Sequence, residues 1–571
     1  MSRVLEIVLC MSLEGWPAAA TGRARGAQRD FGAELGRAWR ICPQVRMRRG
    51  QERVTIEPCE IVEAEPSPGA SWWTWVESTA NGRRVVASRT RAFAPGVTLR
   101  EVFDAEHAGI VVAAREPEPA VRADAPAQAK ASGVSGAAEA SAASAASDTS
   151  GASAAQDAAV VLETAAAEAP PPREAEPAAK AGAAHLRLVS ERRRGRWADD
   201  SGVVVEMTLD DVSIHDGDGP PRRYCELRLV APDWETLDAR TAALHALFAA
   251  ARELSGAWPA FVQLTSVIDR ACAGALAVDA PVKAQLVDLS GIRTQRAALF
   301  ALSGDIAAQW LGNEAGVLDH DDPEFVHQMR VALRRLRTLM RFFPRYANGG
   351  WKDNLSTDLR WLGSMLGTVR DWDVFSTESL PALIAADGDN PEWAGTLDAS
   401  RAQCMAARVE LRQQLHSARY ARLTLGWLEW LSALALPPVG DDDAPSLKRH
   451  VAKRVRRLFG HLYGSPSLES LDTAARHQVR IDAKRLRYAL EFFASLASRR
   501  TRTETVKTLS RVQGVLGEAN DTVVALHRLE QLAAPPYQLG FVRGYGAALE
   551  QRAVRDAEAL LASLRPPKLA G

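Results

Sequence analysis

Two patterns of apolar and polar positions divide this chain of 571 residues. In the first half, short segments alternate between apolar and polar residues, as in VLEIVLCMSL near the N-terminus and RRYCELRLVA around residue 225. This alternation predicts β-strands. From about residue 287 onward, apolar positions recur every three or four residues over long stretches, which predicts helices. The chain therefore predicts an α+β multidomain protein, in which an antiparallel sheet with a few helices precedes an all-α region.

Residues 115–184 interrupt the strand pattern with a stretch rich in Ala, Ser, Pro, Glu and Gly. This stretch repeats no apolar face, so burial cannot offset the entropy lost on ordering it, and we predict that it is disordered. The insertion splits the β-rich domain into two parts. The predicted boundaries are 1–114 and 185–284 for the β-rich domain and 287–565 for the all-α domain, with two repeats of about 287–436 and 445–565.

The all-α region contains an internal repeat. The phrase HQMRVALRRLRTLMRFF at 327–343 returns as HQVRIDAKRLRYALEFF at 477–493, which is 150 positions later. A second phrase, RWLGSMLGTVRDWDV at 360–374, returns at the same spacing as SRVQGVLGEANDTVV. Two helical bundles of similar design are implied, and a pseudo-two-fold arrangement would bring both basic helices toward one groove.

Each basic phrase gathers its cations on one helical face, since successive residues of a helix turn by about 100°. An exposed face without a ligand is the alternative interpretation, and the matched second copy weighs against it. Arginine-rich faces suit a partner with closely spaced phosphate oxygens, because a guanidinium group binds them as a fork. The candidate residues are His327, Arg330, Arg334, Arg337 and Arg341 on the first face, His477, Arg480, Lys484 and Arg487 on the second, Arg335 and Arg485 off-centre, and Lys453, Arg456 and Arg457 on a further basic segment.

Composition narrows the function classes. The net charge is zero, but the segment from residue 286 to the C-terminus has 38 Lys and Arg against 32 Asp and Glu, which leaves 32 against 38 elsewhere. Anion binding must therefore depend on local clustering. The six cysteines form no CxxC pair, which disfavours a zinc site or a disulfide framework. No apolar run is long enough for a transmembrane helix, so we predict a cytoplasmic protein without a membrane partner.

The repeated phrases resemble the CHAD family, whose all-α domains consist of two similar halves. The resemblance covers about residues 287–564 and rests on VHQMRVALRRLR with LGTVRDWDV, and on HQVRIDAKRLRYALE with VLGEANDTVV. It implies that inorganic polyphosphate binds in a basic groove between the halves. The histidines and basic residues of the two helices would contact it, with Lys453, Arg456 and Arg457 as helpers.

The first half resembles the CYTH domain, the triphosphate-tunnel fold that often precedes a CHAD domain, and this implies a divergent antiparallel β-barrel. Metal-assisted triphosphate hydrolysis needs several converging carboxylates to hold Mg²⁺ or Mn²⁺. The family's acidic positions hold Glu6, Glu206, Asp210 and Glu226 in this chain, whereas Val8, Cys10, Arg228 and Val230 replace other members of the pattern and Val267 replaces a phosphate-binding lysine. We therefore predict a catalytically degenerate domain without catalytic residues, metal or cofactor.

The leading hypothesis is a non-enzymatic polyphosphate-binding protein associated with polyphosphate granules in the cytoplasm. One alternative is an inorganic triphosphatase that uses Mg²⁺ or Mn²⁺ and has an accessory polyphosphate-binding domain. A second alternative is a nucleic-acid-binding protein. The basic faces themselves contain no aromatic side chains on which bases could stack, which disfavours that alternative.

Overall fold

The structure is a computed structural model. It describes residues 3–13, 31–59, 61–63, 71–104, 111–112, 186–217, 219–233, 236–276, 280–347, 350–437 and 445–569. The predicted disordered insertion of residues 115–184 lies outside the described residues.

Eight antiparallel strands of the first half close into a barrel, which confirms the predicted fold class and is consistent with a CYTH-like fold. Their order is β10, β11, β1, β7, β6, β5, β3 and β9, and pairing of β9 with β10 closes the ring. Strand β2 pairs with β9, β12 pairs with β1, and β4 with β8 forms a separate pair. The strands are β1 Arg3–Met11, β2 Val45–Met47, β3 Glu52–Cys59, β4 Ile61–Glu63, β5 Ser71–Thr79, β6 Gly82–Ala94, β7 Val97–Asp104, β8 Val111–Val112, β9 Leu186–Ala198, β10 Val204–Asp216, β11 Arg222–Pro232 and β12 Ala260–Gln263.

Strand β1 shows how one strand of the barrel contributes apolar side chains to the outer layer and a charged side chain to the interior. Leu5, Ile7 and Leu9 are buried in the cluster that also contains the apolar face of the helix Leu237–Ala257. The alternate residue Glu6 points inward and meets an arginine from β7. Because side chains of a strand alternate between faces, one strand serves both layers.

The second half of the chain is helical, as predicted. Together with those of the barrel domain, the helices are α1 Phe31–Ala38, α2 Leu237–Ala257, α3 Val267–Cys272, α4 Gln295–Leu311, α5 Glu314–Asp319, α6 Pro323–Phe342, α7 Ser356–Val374, α8 Leu380–Ala386, α9 Ala394–Leu415, α10 Ala418–Ala435, α11 Leu447–Tyr463, α12 Thr473–Phe492, α13 Val506–Gln531 and α14 Pro536–Ala562. None of the described helices is long and apolar enough to cross a membrane.

The two basic helices α6 and α12 begin in the same way. Asp322 caps α6 by accepting a hydrogen bond from the Glu324 N–H at 2.8 Å, and Asp472 caps α12 by accepting one from the Ala475 N–H at 2.7 Å. The helices, and the short turns that follow them, keep a constant offset of 150 residues. These turns are Pro344–Tyr346 with Ala494–Leu496 and Trp351–Leu355 with Thr501–Thr505.

Helix α10 joins the helical half to the barrel domain by packing on α2. Glu429 of α10 accepts a hydrogen bond from Arg252 of α2 and lies 2.9 Å from Nδ1 of His245. Leu428 packs against the barrel turn at Gly96, whose φ of 74° favours glycine. A Cβ at that position would approach Leu428 Cδ1 to 3.0 Å. The barrel thus supports the outer side of the helical half.

Candidate functional site: the paired basic helices

Helices α6 and α12 pack against each other, so the two basic faces predicted from the repeat lie side by side. The Arg334 guanidinium of α6 lies 5.1 Å from the ring centroid of Tyr488 on α12. At the other end of the interface, the rings of Phe342 and Phe493 are 4.7 Å apart. The apolar ends hold the helices together while cations from both helices converge further back toward their N-termini.

Five of these cations form one group, which we call the central cation cluster: Arg330, Arg334, Arg480, Lys484 and Arg487. Lys484 is half-buried, and the four charged groups with the largest effect on it are the four guanidinium groups of the cluster. Burial, followed by these positive neighbours, lowers the pKa of Lys484 to about 7. A site that disfavours its own positive charge in this way favours an anionic ligand.

Several polar atoms beside the cluster are buried without an internal partner. The Nε atoms of Arg334 and Arg487 and the hydroxyl of Tyr488 have no hydrogen-bond partner within the part of the chain that the structure describes. Burying a donor without a partner costs about 1–3 kcal/mol. These groups therefore keep unused hydrogen-bonding capacity next to the cluster.

The first half seats Arg330 with a glycine and an aspartate on α7. A Cβ at Gly367 would lie 2.3 Å from Nη1 of Arg330, so only glycine leaves room for that guanidinium. Asp371, one turn later, has its Oδ1 3.7 Å from Nη2 of Arg330 and its Oδ2 3.3 Å from Nη2 of Arg528. In the first copy of the phrase, the glycine and the aspartate four residues later therefore both contact Arg330.

The second half uses the same phrase differently. A Cβ at Gly517 would meet no described atom within 4 Å, so this glycine makes no comparable room for an arginine. Burial raises the pKa of Asp521, while the charge of Arg480 opposes the shift. The two copies therefore have similar helices and similarly placed aspartates, but only in the first copy does the glycine make room for an arginine side chain.

The two histidines differ in environment. His327 is half-buried; burial, and then the charge of Arg370, lowers its pKa to about 4, with Arg334 and Arg330 adding to the effect. His477 is exposed. Among the described residues, no group of three or more His, Cys, Asp and Glu could hold a metal ion. Arg370 was not singled out from the sequence, although it lies in the phrase LGTVRDWDV.

The structure does not bring Arg335 to the cationic surface. Its side chain is buried and donates to Gln309 Oε1 at 2.7 Å and to Asp305 Oδ2 at 2.6 Å, both on α4. Arg335 lies one residue beyond the centre of the stripe, and this offset turns it toward α4. The predicted contact of Arg335 with a ligand therefore conflicts with its position.

The remaining predicted cations lie at the C-terminal end of α6, on the flank of α12 and on α11. Arg337 and Arg341 are exposed, and the charges of Arg485 and Arg337 help lower the pKa of Arg341 after burial. Arg485 also donates to Asp482 at 2.9 Å. Arg487 pairs in the same way with Glu491. The cations Lys453, Arg456 and Arg457 are exposed on α11.

Helix α11 is fixed to the end of the first basic helix. Nε2 of His450 lies 2.9 Å from the Phe342 carbonyl oxygen. Arg454, which the sequence analysis left out, faces Arg457, and burial followed by that charge lowers its pKa. The basic surface of α11 therefore begins where the face of α6 ends.

The barrel interior holds acidic residues of the second predicted constellation, and arginines accompany them. Arg100 donates from Nε to Glu6 at 2.5 Å and from Nη1 to Asp269 at 3.1 Å. Arg192 donates to Asp210 and to Glu77, each at 2.7 Å. Burial alone would raise the pKa of Asp210, but Arg192 and Arg228 lower it to about 2.

The other two acidic candidates have separate environments. Glu226 is fully buried, accepts a hydrogen bond from the Val267 N–H at 2.6 Å and has its pKa raised by burial to about 7. Glu206 is exposed, with its Oε2 4.0 Å from Arg48. A site for Mg²⁺ or Mn²⁺ needs several ionised oxygen ligands that point to one centre. The arginine-paired, partly protonated and outward-facing carboxylates of this barrel do not fit such a site.

Comparison with known proteins identifies relatives of the helical half. Residues 303–530 match the model of the CHAD domain. The crystal structure of the CHAD domain from the plant Ricinus communis is 32% identical, covering 51% of this chain and 99% of that chain, with a TM-score of 0.44. PptA from Streptomyces chartreusis is 18% identical, covering 47% and 98%, with a TM-score of 0.35.

A curated relative is also similar to part of the chain. The Uncharacterized protein MT2285 of Mycobacterium tuberculosis is 28% identical over 257 residues, which cover 43% of this chain and 48% of the relative. The chain thus spans about half the length of the curated relatives that it matches.

Proposed function

The chain belongs to the CHAD domain family, and we propose that its helical half binds inorganic polyphosphate through the basic faces of α6 and α12. The single observation that carries this proposal is the central cation cluster. Its charged groups come from two helices and crowd one another, and burial together with this crowding lowers the pKa of Lys484 to about 7. Asp371 and Glu491 flank two of the arginines, but the charged groups that act most strongly on Lys484 are all cations, and a polyanion relieves this crowding on binding.

The extent of the surface suits a linear chain of phosphates rather than a single ion. From His327 to Arg341, α6 spans about 21 Å at 1.5 Å per residue. The proposed path runs from His327 and Arg370 through the cluster to Arg337 and Arg341, and continues over α11 at Lys453 and Arg457. A groove of this length presents charges along several consecutive phosphates.

The barrel is proposed to support this binding surface without catalysing hydrolysis. Three of the acidic candidates are buried with arginines or protonated near neutral pH, which disfavours the triphosphatase alternative. Association with polyphosphate granules in the cytoplasm is part of the same proposal, because a protein with such a surface would collect where its ligand is concentrated.

The proposal is tested by reversing charge inside and outside the cluster. The test variant carries Arg330→Glu, Arg334→Glu, Arg480→Glu and Lys484→Glu. A control with the same change in net charge carries Arg83→Glu, Arg222→Glu, Arg401→Glu and Arg552→Glu, which replace exposed residues elsewhere. Circular dichroism establishes that both variants are folded before binding of long-chain polyphosphate is measured across a salt series.

We expect the cluster variant to lose at least about a hundredfold in affinity and the control to lose far less. The salt dependence should also become less steep, by about one unit of slope for each phosphate that the variant no longer neutralises. Equal losses in both variants would mean that only net charge matters, and unchanged binding in the cluster variant would contradict the proposal. Single-stranded RNA or DNA of matched charge is then tested as a competitor of bound polyphosphate. Displacement at a similar concentration would support the nucleic-acid alternative.

A further inference from the structure

The central cation cluster contains one lysine among four arginines. Arg480 precedes Lys484 on α12 by one turn and Arg487 follows it by three residues, so the three side chains share one face of the helix. From α6, which packs against α12, the Arg334 guanidinium lies 5.1 Å from the ring centroid of Tyr488, as does that of Arg487. Arg330 lies one turn before Arg334. An arginine keeps its proton under all ordinary conditions, whereas a lysine can release one. Lys484 is therefore the group in the cluster through which the repulsion of five positive charges can be relieved.

The free protein favours the neutral form of Lys484, whereas the ligand-bound protein favours the charged form. In the free protein, burial and the four guanidinium groups lower its pKa to about 7, so a large fraction of the side chain is neutral at neutral pH. Phosphate oxygens beside the ammonium reverse the sign of its surroundings and favour the charged form. The same side chain then changes its protonation between the two states.

We propose that Lys484 takes up one proton from solvent when a phosphate chain occupies the cluster, so that polyphosphate binding strengthens as the pH falls. The step forms one N–H bond and breaks none in the ligand. This inference rests on the proposed function, because it assigns a regulatory property to the same site.

Other titratable and charged groups surround the cluster and belong in the design of the test. Helix α6 contributes His327, and α12 contributes His477 and Glu491, which acts on Arg334 and Arg487. Helix α7 contributes Arg370 and Asp371, and α13 contributes Asp521, which interacts with Arg480. A histidine side chain can also take up a proton when an anion binds beside it, so both histidines must be replaced before the effect is assigned to Lys484.

The experiment measures affinity for long-chain polyphosphate at pH 6.5 and pH 8.5 at constant ionic strength, in a His327→Gln/His477→Gln background. We expect the affinity in this background to fall roughly twentyfold between the two pH values. Lys484→Arg in the same background should reduce that ratio to less than about threefold, because arginine stays charged. The matched control Lys507→Arg, at an exposed position on α13, should keep the full ratio.

Calorimetry in buffers of different ionisation enthalpy counts the protons directly. At pH 7.5 we expect an uptake of roughly three quarters of a proton per occupied cluster, and no such uptake in Lys484→Arg. Binding without pH dependence or proton uptake would overturn this inference and leave the proposed function standing, as would a ratio that persists in Lys484→Arg. Absence of binding at pH 6.5 in the unmodified protein would instead overturn the proposed function.

Discussion

The barrel interior and the paired basic helices both gather arginines, but they neutralise them differently. In the barrel, Arg100 lies between Glu6 and Asp269, and Arg192 lies between Asp210 and Glu77. In the paired helices, the charged groups that act most strongly on Lys484 are other cations. The number of arginines is therefore a poor guide to function. In the barrel each of these arginines is enclosed by two carboxylates, whereas in the cluster Asp371 and Glu491 flank single arginines and the cations crowd one another around Lys484.

The largest effect should come from breaking a paired arginine in the barrel. Arg100→Met leaves Glu6 and Asp269 buried without their partner, and we expect the free energy of unfolding to fall by about 3–5 kcal/mol. Arg330→Met in the central cation cluster removes a charge that the other cations repel, together with one partly exposed ion pair to Asp371, and should change stability by less than about 1 kcal/mol. Urea unfolding followed by circular dichroism measures both values. Similar losses in the two variants would remove the distinction between the regions.

A smaller and pH-dependent effect should come from Glu226. Its pKa rises from 4.5 in the unfolded chain to about 7 in the folded one, so the folded state holds the proton more tightly. Stability from this group is present below about pH 4.5 and is lost as the pH rises through 7. Glu226→Gln does not titrate and keeps an oxygen for the Val267 N–H. We expect it to be more stable than the unmodified protein at pH 8, by up to about 3 kcal/mol, and nearly equal at pH 4.5.

Asp210→Asn provides the contrast with opposite sign. The pKa of Asp210 is lowered to about 2, so its carboxylate stabilises the fold above the unfolded value and the contribution is lost only as the pH falls toward 2. This variant should therefore be less stable than the unmodified protein at pH 8.

The Glu226→Gln protein also tests the triphosphatase alternative. Metal-dependent release of phosphate that is abolished by this substitution would show that the barrel has a working carboxylate site.

The sequence was most informative where a periodic pattern decides the structure. The two helices α6 and α12, and the positions of Arg330, Arg334, Arg480 and Lys484 on their basic faces, follow from helical spacing and from the repeat. The direction of the Arg335 side chain depends instead on its hydrogen bonds to Asp305 and Gln309 of a neighbouring helix. No local sequence pattern predicts how that helix packs.

The ion pairs inside the barrel could not be predicted from local sequence either, because they too join elements that lie far apart along the chain. Glu6 meets an arginine 94 residues away along the chain, and only closure of the barrel determines that contact. The replacements at Val8, Cys10, Arg228 and Val230 predict an incomplete set of carboxylates, and this stays a prediction. The arginines that accompany the remaining acids, and the raised pKa of Glu226, required the positions of strands that lie far apart in sequence.

The smallest expected effect is also the most selective, because it compares two equivalent glycines of the repeat. Gly517→Ala introduces a Cβ with no described atom within 4 Å, so the higher helix propensity of alanine should stabilise the protein by up to about 1 kcal/mol without changing polyphosphate affinity. Gly367→Ala places a Cβ 2.3 Å from Nη1 of Arg330. Because this is the far end of a flexible side chain, Arg330 should move rather than the helix unfold, and affinity should fall several-fold with little loss of stability. Equal affinities for the two alanine variants would show that the seat of Arg330 does not matter for binding, whereas an affinity loss confined to Gly367→Ala would locate the ligand at the first half of the repeat.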